Sequence, residues 1–408
     1  MKSRDAMDEE YISAEEAAAL LGVSVTTLYA YVSRKGLRSQ PVPGSRSRRY
    51  WRDDVERLRR KGRQPAFAPG ELQRESRITL LTEHGPYYRG RSAAELAETS
   101  SVEAVAALLW DVEEEKAFTA RAPRCPAHFV ELDALLAGEP AVDRAVAHLP
   151  FLEHANAHAH DLTPIGMARS GADIIRWLTA IFLRRSEPSV RPIHEQFGAA
   201  LRLEPAVTDL VRRLLILGAD HGFEEGTYAV RAVASTGVTP WRSVAAGLMI
   251  HAGRSSKFGH SLAARQFVAE TIEAADPEEP IARRMREHEP LPGFESRLYA
   301  GGDPRARVLV DYCDAALGDD PAYARFRHAL RYAEDVLDRK PAFSLLSAFV
   351  TARIGLAGDA ALRGPSATQS PFLIGRAIGW IAHASEQYQL GEAGRREQVY
   401  KGPLPPVA

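Results

Sequence analysis

Apolar residues recur through most of the chain at the three-to-four-residue spacing of helices that bury one face. The spacing predicts helices from Val102 to Trp110, Val207 to Leu217, Val238 to His251, Asp320 to Leu337 and Phe372 to Tyr388, punctuated by prolines and glycines. Strand-like alternation is scarce and confined to two candidate hairpins, Arg77 to Tyr88 and Gln40 to Trp51. No segment repeats. The expected body is mainly α.

The N-terminal stretch has its own logic. Ser13 followed by Glu16 forms a capping-box signal ahead of Ala17, Leu20 and Leu21, and Gly22 marks the end of that helix. Ser24 caps a second helix whose apolar face is Leu28, Tyr31 and Val32. Two short helices joined by a tight glycine-containing turn make a helix-turn-helix. Leu37 to Trp51, with a polar loop between two extended arms, reads as a wing, and a last helix starts at Asp53. Pro65, Pro69 and Gly70 mark residues 64–75 as a linker between this head, residues 1–63, and a body over 76–408.

Composition narrows the partners. The chain has 408 residues, 45% of them hydrophobic, which suits two or three globular domains. Net charge is -1, so the whole-molecule field selects no ligand. The head is different: Arg34, Lys35, Arg38, Arg46, Arg48, Arg49, Arg52, Arg57, Arg59, Arg60, Lys61 and Arg63 face only Asp53, Asp54 and Glu56, which points to a local anionic partner. Two cysteines, Cys125 and Cys313, leave no disulfide framework or cysteine zinc site, and a reducing cytoplasm is the expected compartment. The N-terminus has no apolar core of signal-peptide type, and apolar stretches such as Ser243 to Ile250 are too short for a bilayer, so no membrane partner is expected.

The head, from Ser13 to Leu37 and again from Arg48 to Leu58, resembles the MerR/excisionase DNA-binding domains. The resemblance implies that the second helix enters the major groove, with Thr26, Thr27, Tyr29, Tyr31 and Arg34 as candidate readers. The wing arginines Arg46, Arg48 and Arg49 would neutralise phosphates, which positions without specifying sequence. A small interaction domain with a solvated basic face is the alternative.

The body carries several segments in an order that resembles the citrate synthases. These are the hairpin leading to Tyr88, Arg89 and Gly90; Leu215 to Gly237 around Gly218-Ala219-Asp220-His221; Leu291 to Ala306, ending in Asp303-Pro304-Arg305; and the stretches Gly375 to Tyr388 and Arg395 to Pro403. The resemblance spans residues 77–404 and implies all-helical large and small domains, the small one inserted at roughly 235–345, in a homodimer. The family condenses an acyl-CoA with a 2-oxo acid. That chemistry needs a carboxylate base, imidazoles at the enolate and keto oxygens, and guanidinium forks for the carboxylates. By resemblance, the substrate-holding positions fall on His221, Arg305, Arg376 and Arg395, the last donated across the dimer. All four are of the right type.

The reacting positions are not. The two catalytic histidines correspond to Ser256 and Ser296, and the catalytic aspartate to Ser344. A serine hydroxyl can donate a hydrogen bond but is no base near pH 7 without an activating partner. His251 and His260 flank Ser256, and Glu295 adjoins Ser296, as candidate substitutes, while Arg254 and Lys257 suggest an anion site where the thioester would lie. His154 and His158 have the i, i+4 spacing of a helical metal pair, with His160 nearby, yet the solvated reading is favoured and no metal is expected; His383 reads as structural. The expected function is a DNA-binding regulator sensing a small carboxylate such as citrate or oxaloacetate. It holds no tight cofactor, and a CoA ester is a further candidate ligand. The alternatives are an active acyltransferase of the citrate or 2-methylcitrate synthase type, and a non-catalytic partner of an active synthase.

Overall fold

The computed structural model describes residues 11–35, 37–42, 45, 47–61, 75–251, 256–294, 298–299, 301–357 and 370–390. The chain divides into two compact units between Glu71 and Leu72.

In the first unit, Ser13 opens α1 (Ala14–Leu21). Its hydroxyl accepts the Glu16 N–H at 3.1 Å while the Glu16 carboxylate accepts the Ser13 N–H at 2.9 Å, so two otherwise orphaned donors are satisfied. Gly22 ends α1 at φ 67°, a left-handed conformation that glycine adopts without steric penalty. The Ser24 hydroxyl accepts the Thr27 N–H at 3.2 Å and starts α2 (Val25–Lys35). An antiparallel sheet of β1 (Tyr11–Ile12), β2 (Ser39–Pro41) and β3 (Arg48–Trp51) runs in the order β1-β3-β2, with Tyr50 opposite both Ile12 and Ser39. The expected wing is β2 and β3; the two residues of β1 are too few to show alternation. The last helix, α3 (Arg52–Lys61), begins one residue before the expected start at Asp53. Ile12, Ala17, Leu28, Leu37, Tyr50 and Val55 form the core. Arg38 grips Asp54 of α3 with a two-pronged contact of 2.8 and 2.9 Å, which fixes the start of the wing.

The second unit opens with a hairpin, β4 (Thr79–Thr82) and β5 (Gly85–Tyr88), extended by β6 (Arg91–Ser92). Helices follow: α4 (Ala93–Thr99), α5 (Val102–Trp110), α6 (Glu114–Ala117), α7 (Phe129–Leu135), α8 (Ala141–Ala155), α9 (Pro164–Phe182), α10 (Ile193–Leu201) and α11 (Pro205–Leu217). After them come α12 (Glu225–Ala234), α13 (Pro240–His251), α14 (Ser256–Glu273), α15 (Glu279–Arg286), α16 (Pro304–Ala316), α17 (Pro321–Leu337), α18 (Phe343–Ala357) and α19 (Ser370–Leu390). The five helices expected from periodicity are all present, and the fold is mainly α. No described helix is long and apolar enough to cross a membrane.

Helix α19 is the axis of this unit: α5, α9, α11, α12 and α13 all pack on it. Glycines make that crowding sterically feasible. A Cβ at Gly375 would lie 2.5 Å from the Leu215 carbonyl oxygen, and one at Gly379 would strike the Ala219 carbonyl. Trp380 is buried against Gly226 of α12 and Gly247 of α13, whose Cβ positions would fall 3.1 and 2.6 Å from the indole. Trp110 ties α5 to the same helix by donating its indole N–H to the Ile378 carbonyl at 2.9 Å. A second group, α14 with α15, α17 and α18, meets this axis through α11 and α16.

Gly379→Ala should therefore overpack a backbone contact that cannot yield easily. The expected loss is about 1–3 kcal/mol of unfolding free energy, read by urea denaturation.

Candidate functional site

The turn between α11 and α12, residues 218–224, is built from the hairpin side. Tyr88 is buried. Its hydroxyl donates to the Ile216 carbonyl at 3.0 Å and accepts the Asp220 N–H at 3.3 Å. Burial, the largest influence, pushes the phenol well above its ordinary range, so it stays protonated as a donor.

Behind the turn lies a buried ionic relay. Glu386 accepts from Arg231 Nη1 at 2.7 Å, and Arg231 Nη1 also meets His383 Nδ1 at 3.2 Å. His383 Nε2 is 3.2 Å from Asp220 Oδ1. Arg231, His383 and Asp220 are fully buried. Burial alone would raise the Asp220 pKa, but His383 and then Arg376 outweigh it and hold the carboxyl well below the usual carboxylate range. The relay joins α12 to α19 and fixes the residue beside His221.

His221 is half-buried, with Nε2 2.9 Å from the Tyr299 hydroxyl. Burial raises the Tyr299 pKa to about 12, so this partner is neutral. Arg305, at the start of α16, is buried and already engaged: Nε and Nη2 donate to the Asp303 carboxylate at 3.1 and 2.8 Å. Asp303 also accepts the Phe343 N–H at 3.2 Å, and the Phe343 ring lies 4.4 Å from the Arg305 guanidinium.

Arg376, on α19, is the mirror case. Its guanidinium lies 5.2 Å from the Phe372 ring, and Nε is 3.3 Å from Glu224 Oε1. The residue is only 2% exposed, yet Nε and Nη1 have no hydrogen-bond partner among the described residues. A buried guanidinium with unused donors is expensive unless an anion completes it. His251 is close enough for Arg376 to disfavour its charged form. Burial first, then Arg376, brings its pKa down to about 4, so this imidazole is neutral at pH 7. Phe343 and Phe372 stand 6.4 Å apart, both beside Gly218 at the end of α11.

The structure thus gathers His221, Arg305 and Arg376 around one turn, whereas Arg395 lies outside the described residues. Ser344 is exposed at the start of α18. Ser256 is the first residue of α14 with its side chain outside the description, as are those of Lys257 and His260; Ser296, Glu295 and Arg254 lie outside it altogether. His154 and His158 do not share a helical face, because α8 ends at Ala155 and Asn156 turns the chain. Asn156 is the reason: its Oδ1 accepts the His158 N–H at 2.9 Å, a local turn bond that competes with the helix. Among the described residues no group of three histidine, cysteine or acidic side chains is placed to hold a metal. In the head, Thr26, Thr27 and Tyr29 are exposed on α2, Tyr29 by 54%, while Tyr31 packs against the core. Arg48 is exposed but anchored, donating to the Ser39 hydroxyl at 2.9 Å and its carbonyl at 3.0 Å; Arg49 is half-buried, Arg46 is undescribed, and so is the side chain of Arg34.

Residues 70–397 match the citrate synthase, C-terminal domain family, and residues 11–63 match a helix-turn-helix domain family. The chain therefore belongs to the citrate synthase family and carries a helix-turn-helix domain at its N-terminal side. Among its relatives, citrate synthase 2 of Bacillus subtilis is 24% identical over 368 residues, 82% of this chain and 95% of that one. Citrate synthase 1 of Mycobacterium tuberculosis is 28% identical over 223 residues, 49% of this chain and 48% of that one, so the chain spans about half the length of the mycobacterial relatives it matches. The fold is shared with citrate synthase from Pyrobaculum aerophilum, with a TM-score of 0.67 and 19% identity over 83% of this chain and 92% of that one. It is also shared with the Thermoplasma acidophilum enzyme, solved as a ternary complex with carboxymethyl coenzyme A and oxaloacetate, with a TM-score of 0.65 and 18% identity over 83% and 96%.

Tyr299, Asp303, Phe343 and Glu224 are pocket residues that sequence reasoning passed over. Asp303, Tyr299 and Glu224 lie inside segments that carried the resemblance, but nothing in those segments singles out their side chains, and Phe343 lies outside them.

The His251 shift has a consequence for stability. Its folded pKa lies below the unfolded value of about 6.5, so the unfolded chain takes up the proton first as pH falls. That costs the folded state stability between pH ~6.5 and ~4, with no further loss below. His251→Gln should remove this component, and its stability relative to wild type should rise across that window in urea titrations at stepped pH.

Proposed function

We propose that this protein is a ligand-responsive DNA-binding regulator whose citrate-synthase-like body binds a small carboxylate without condensing it. One observation carries the reading: Arg376 is buried with donors that no described residue takes, at the same turn as His221, while the position that would supply a carboxylate base is the exposed Ser344. Serine at positions 256 and 296 supports the same conclusion. A group that holds an anion survives such losses, because guanidinium binding needs charge and geometry but no proton transfer.

In this reading the body is a homodimer, with an inserted small domain at roughly 235–345 that closes over the ligand and Arg395 reaching in from the partner. Citrate and oxaloacetate are the first ligands to test, and a CoA ester the second. Closure couples to the heads only if the ligand binds the two closure states differently. The head is MerR-like: α2 enters the major groove with Thr26, Thr27 and Tyr29, and Arg48 holds phosphate. The compartment is the cytoplasm, and no resident cofactor or metal takes part.

A condensing enzyme is the second reading, favoured by His251, whose ring lies 5.5 Å from the Phe372 ring that also faces Arg376. Acetyl-CoA, oxaloacetate and a thiol reagent decide between them: no CoA release above background is expected, and turnover near ordinary enzyme rates of about 1–1000 per second overturns the regulator. Gel shifts on the protein's own upstream DNA should change on adding the small carboxylate that the body binds. Arg376→Gln should abolish ligand-induced thermal stabilisation. Arg48→Ala should weaken DNA binding and reduce the salt slope by about one phosphate contact.

A further inference from the structure

The two described arginines of the site, Arg305 and Arg376, already face acids of the same chain. Arg305 is closed in a two-pronged contact with Asp303, both buried, so that pair brings no net charge. Arg376 is faced by Glu224, whose side chain is 31% exposed against 3% for the arginine. Glu224 stands at the N-cap position of α12 but its side chain caps no backbone N–H; it is turned toward Arg376 instead. The pairing is loosely aligned. It leaves Nη1 of the buried guanidinium without a hydrogen-bond partner among the described residues.

Two demands on a ligand follow. One carboxylate can take Arg376 Nη1 without displacing Glu224. A second carboxylate beside it would meet the Glu224 charge in a site whose described arginines are already balanced, and like charges there repel. A hydroxyl or ammonium group in that place would instead donate to Glu224, whose carboxylate has four acceptor sites. The roof of Phe343 and Phe372 suits a small apolar body and offers nothing to further charge.

We propose that Glu224 determines ligand choice, and that the site takes a small monocarboxylate carrying a hydroxyl or ammonium donor rather than a di- or tricarboxylate. This rests on the carboxylate-binding reading above. It also names the acid that would turn citrate and oxaloacetate into poor ligands.

The test is calorimetric titration of the full chain with lactate, pyruvate, malate and citrate. Wild type should bind lactate at least about tenfold more tightly than malate or citrate, and more tightly than pyruvate, which lacks the donor. In Glu224→Gln, malate and citrate should gain about tenfold relative to lactate. If wild type prefers malate or citrate, and Glu224→Gln leaves that ratio unchanged, the role of Glu224 is overturned while carboxylate binding stands. If none of the four binds a protein that circular dichroism shows to be folded, carboxylate binding itself is overturned, and this inference with it. Should the variant fail to fold, the wild-type order decides alone: lactate first supports the assignment, and malate or citrate first ends it.

Discussion

Helix α19 approaches the turn after α11 so closely that two of its positions tolerate no side-chain carbon, and the pocket depends on that contact. Gly375 and Gly379 bring α19 against the carbonyls of Leu215 and Ala219. At this separation His383 reaches Asp220, and Arg231 with Glu386 completes a buried line of polar contacts. Buried ions are costly to desolvate and are retained only where each has a partner. The glycines remove bulk, the buried polar contacts supply direction, and together they hold Arg376 and His221 about one short turn.

Much of this was legible in the chain. The capping box at Ser13, the glycine stop at Gly22 and the helix-turn-helix follow from local hydrogen-bond chemistry, which three or four residues suffice to specify. The long helices follow from periodicity. The fold of the body came from motif order, because packing angles and insertions leave no local trace. Within the pocket, the residue types at His221, Arg305 and Arg376 were readable. Their state was not: that Asp303 occupies Arg305 and Glu224 faces Arg376 depends on side-chain directions across α11, α12, α16 and α19, and spacing along the chain says nothing of these. The histidine pair at 154 and 158 shows the opposite failure. Its spacing was helical, but the helix ends between them, where Asn156 bonds the chain into a turn.

A folded body can lose reactive groups without losing its form because the two draw on different residues. Ser344 is exposed, whereas Trp110, Trp177, Trp241 and Trp380 are buried in the core. Stability comes from the latter through apolar burial and dense packing. Nothing in that arrangement obliges the chain to keep a base at position 344.

The two phenylalanines over the arginines also set how far the surrounding electrolyte can intrude. Mobile ions screen charges they can approach, within about 8–10 Å at moderate ionic strength, and aromatic faces on buried guanidinium groups deny that approach. Arg48 on the wing, by contrast, stands in open solvent. One molecule thus holds two electrostatic regimes, a screened surface on the head and a shielded interior in the body, and ionic strength addresses the first while leaving the second nearly untouched.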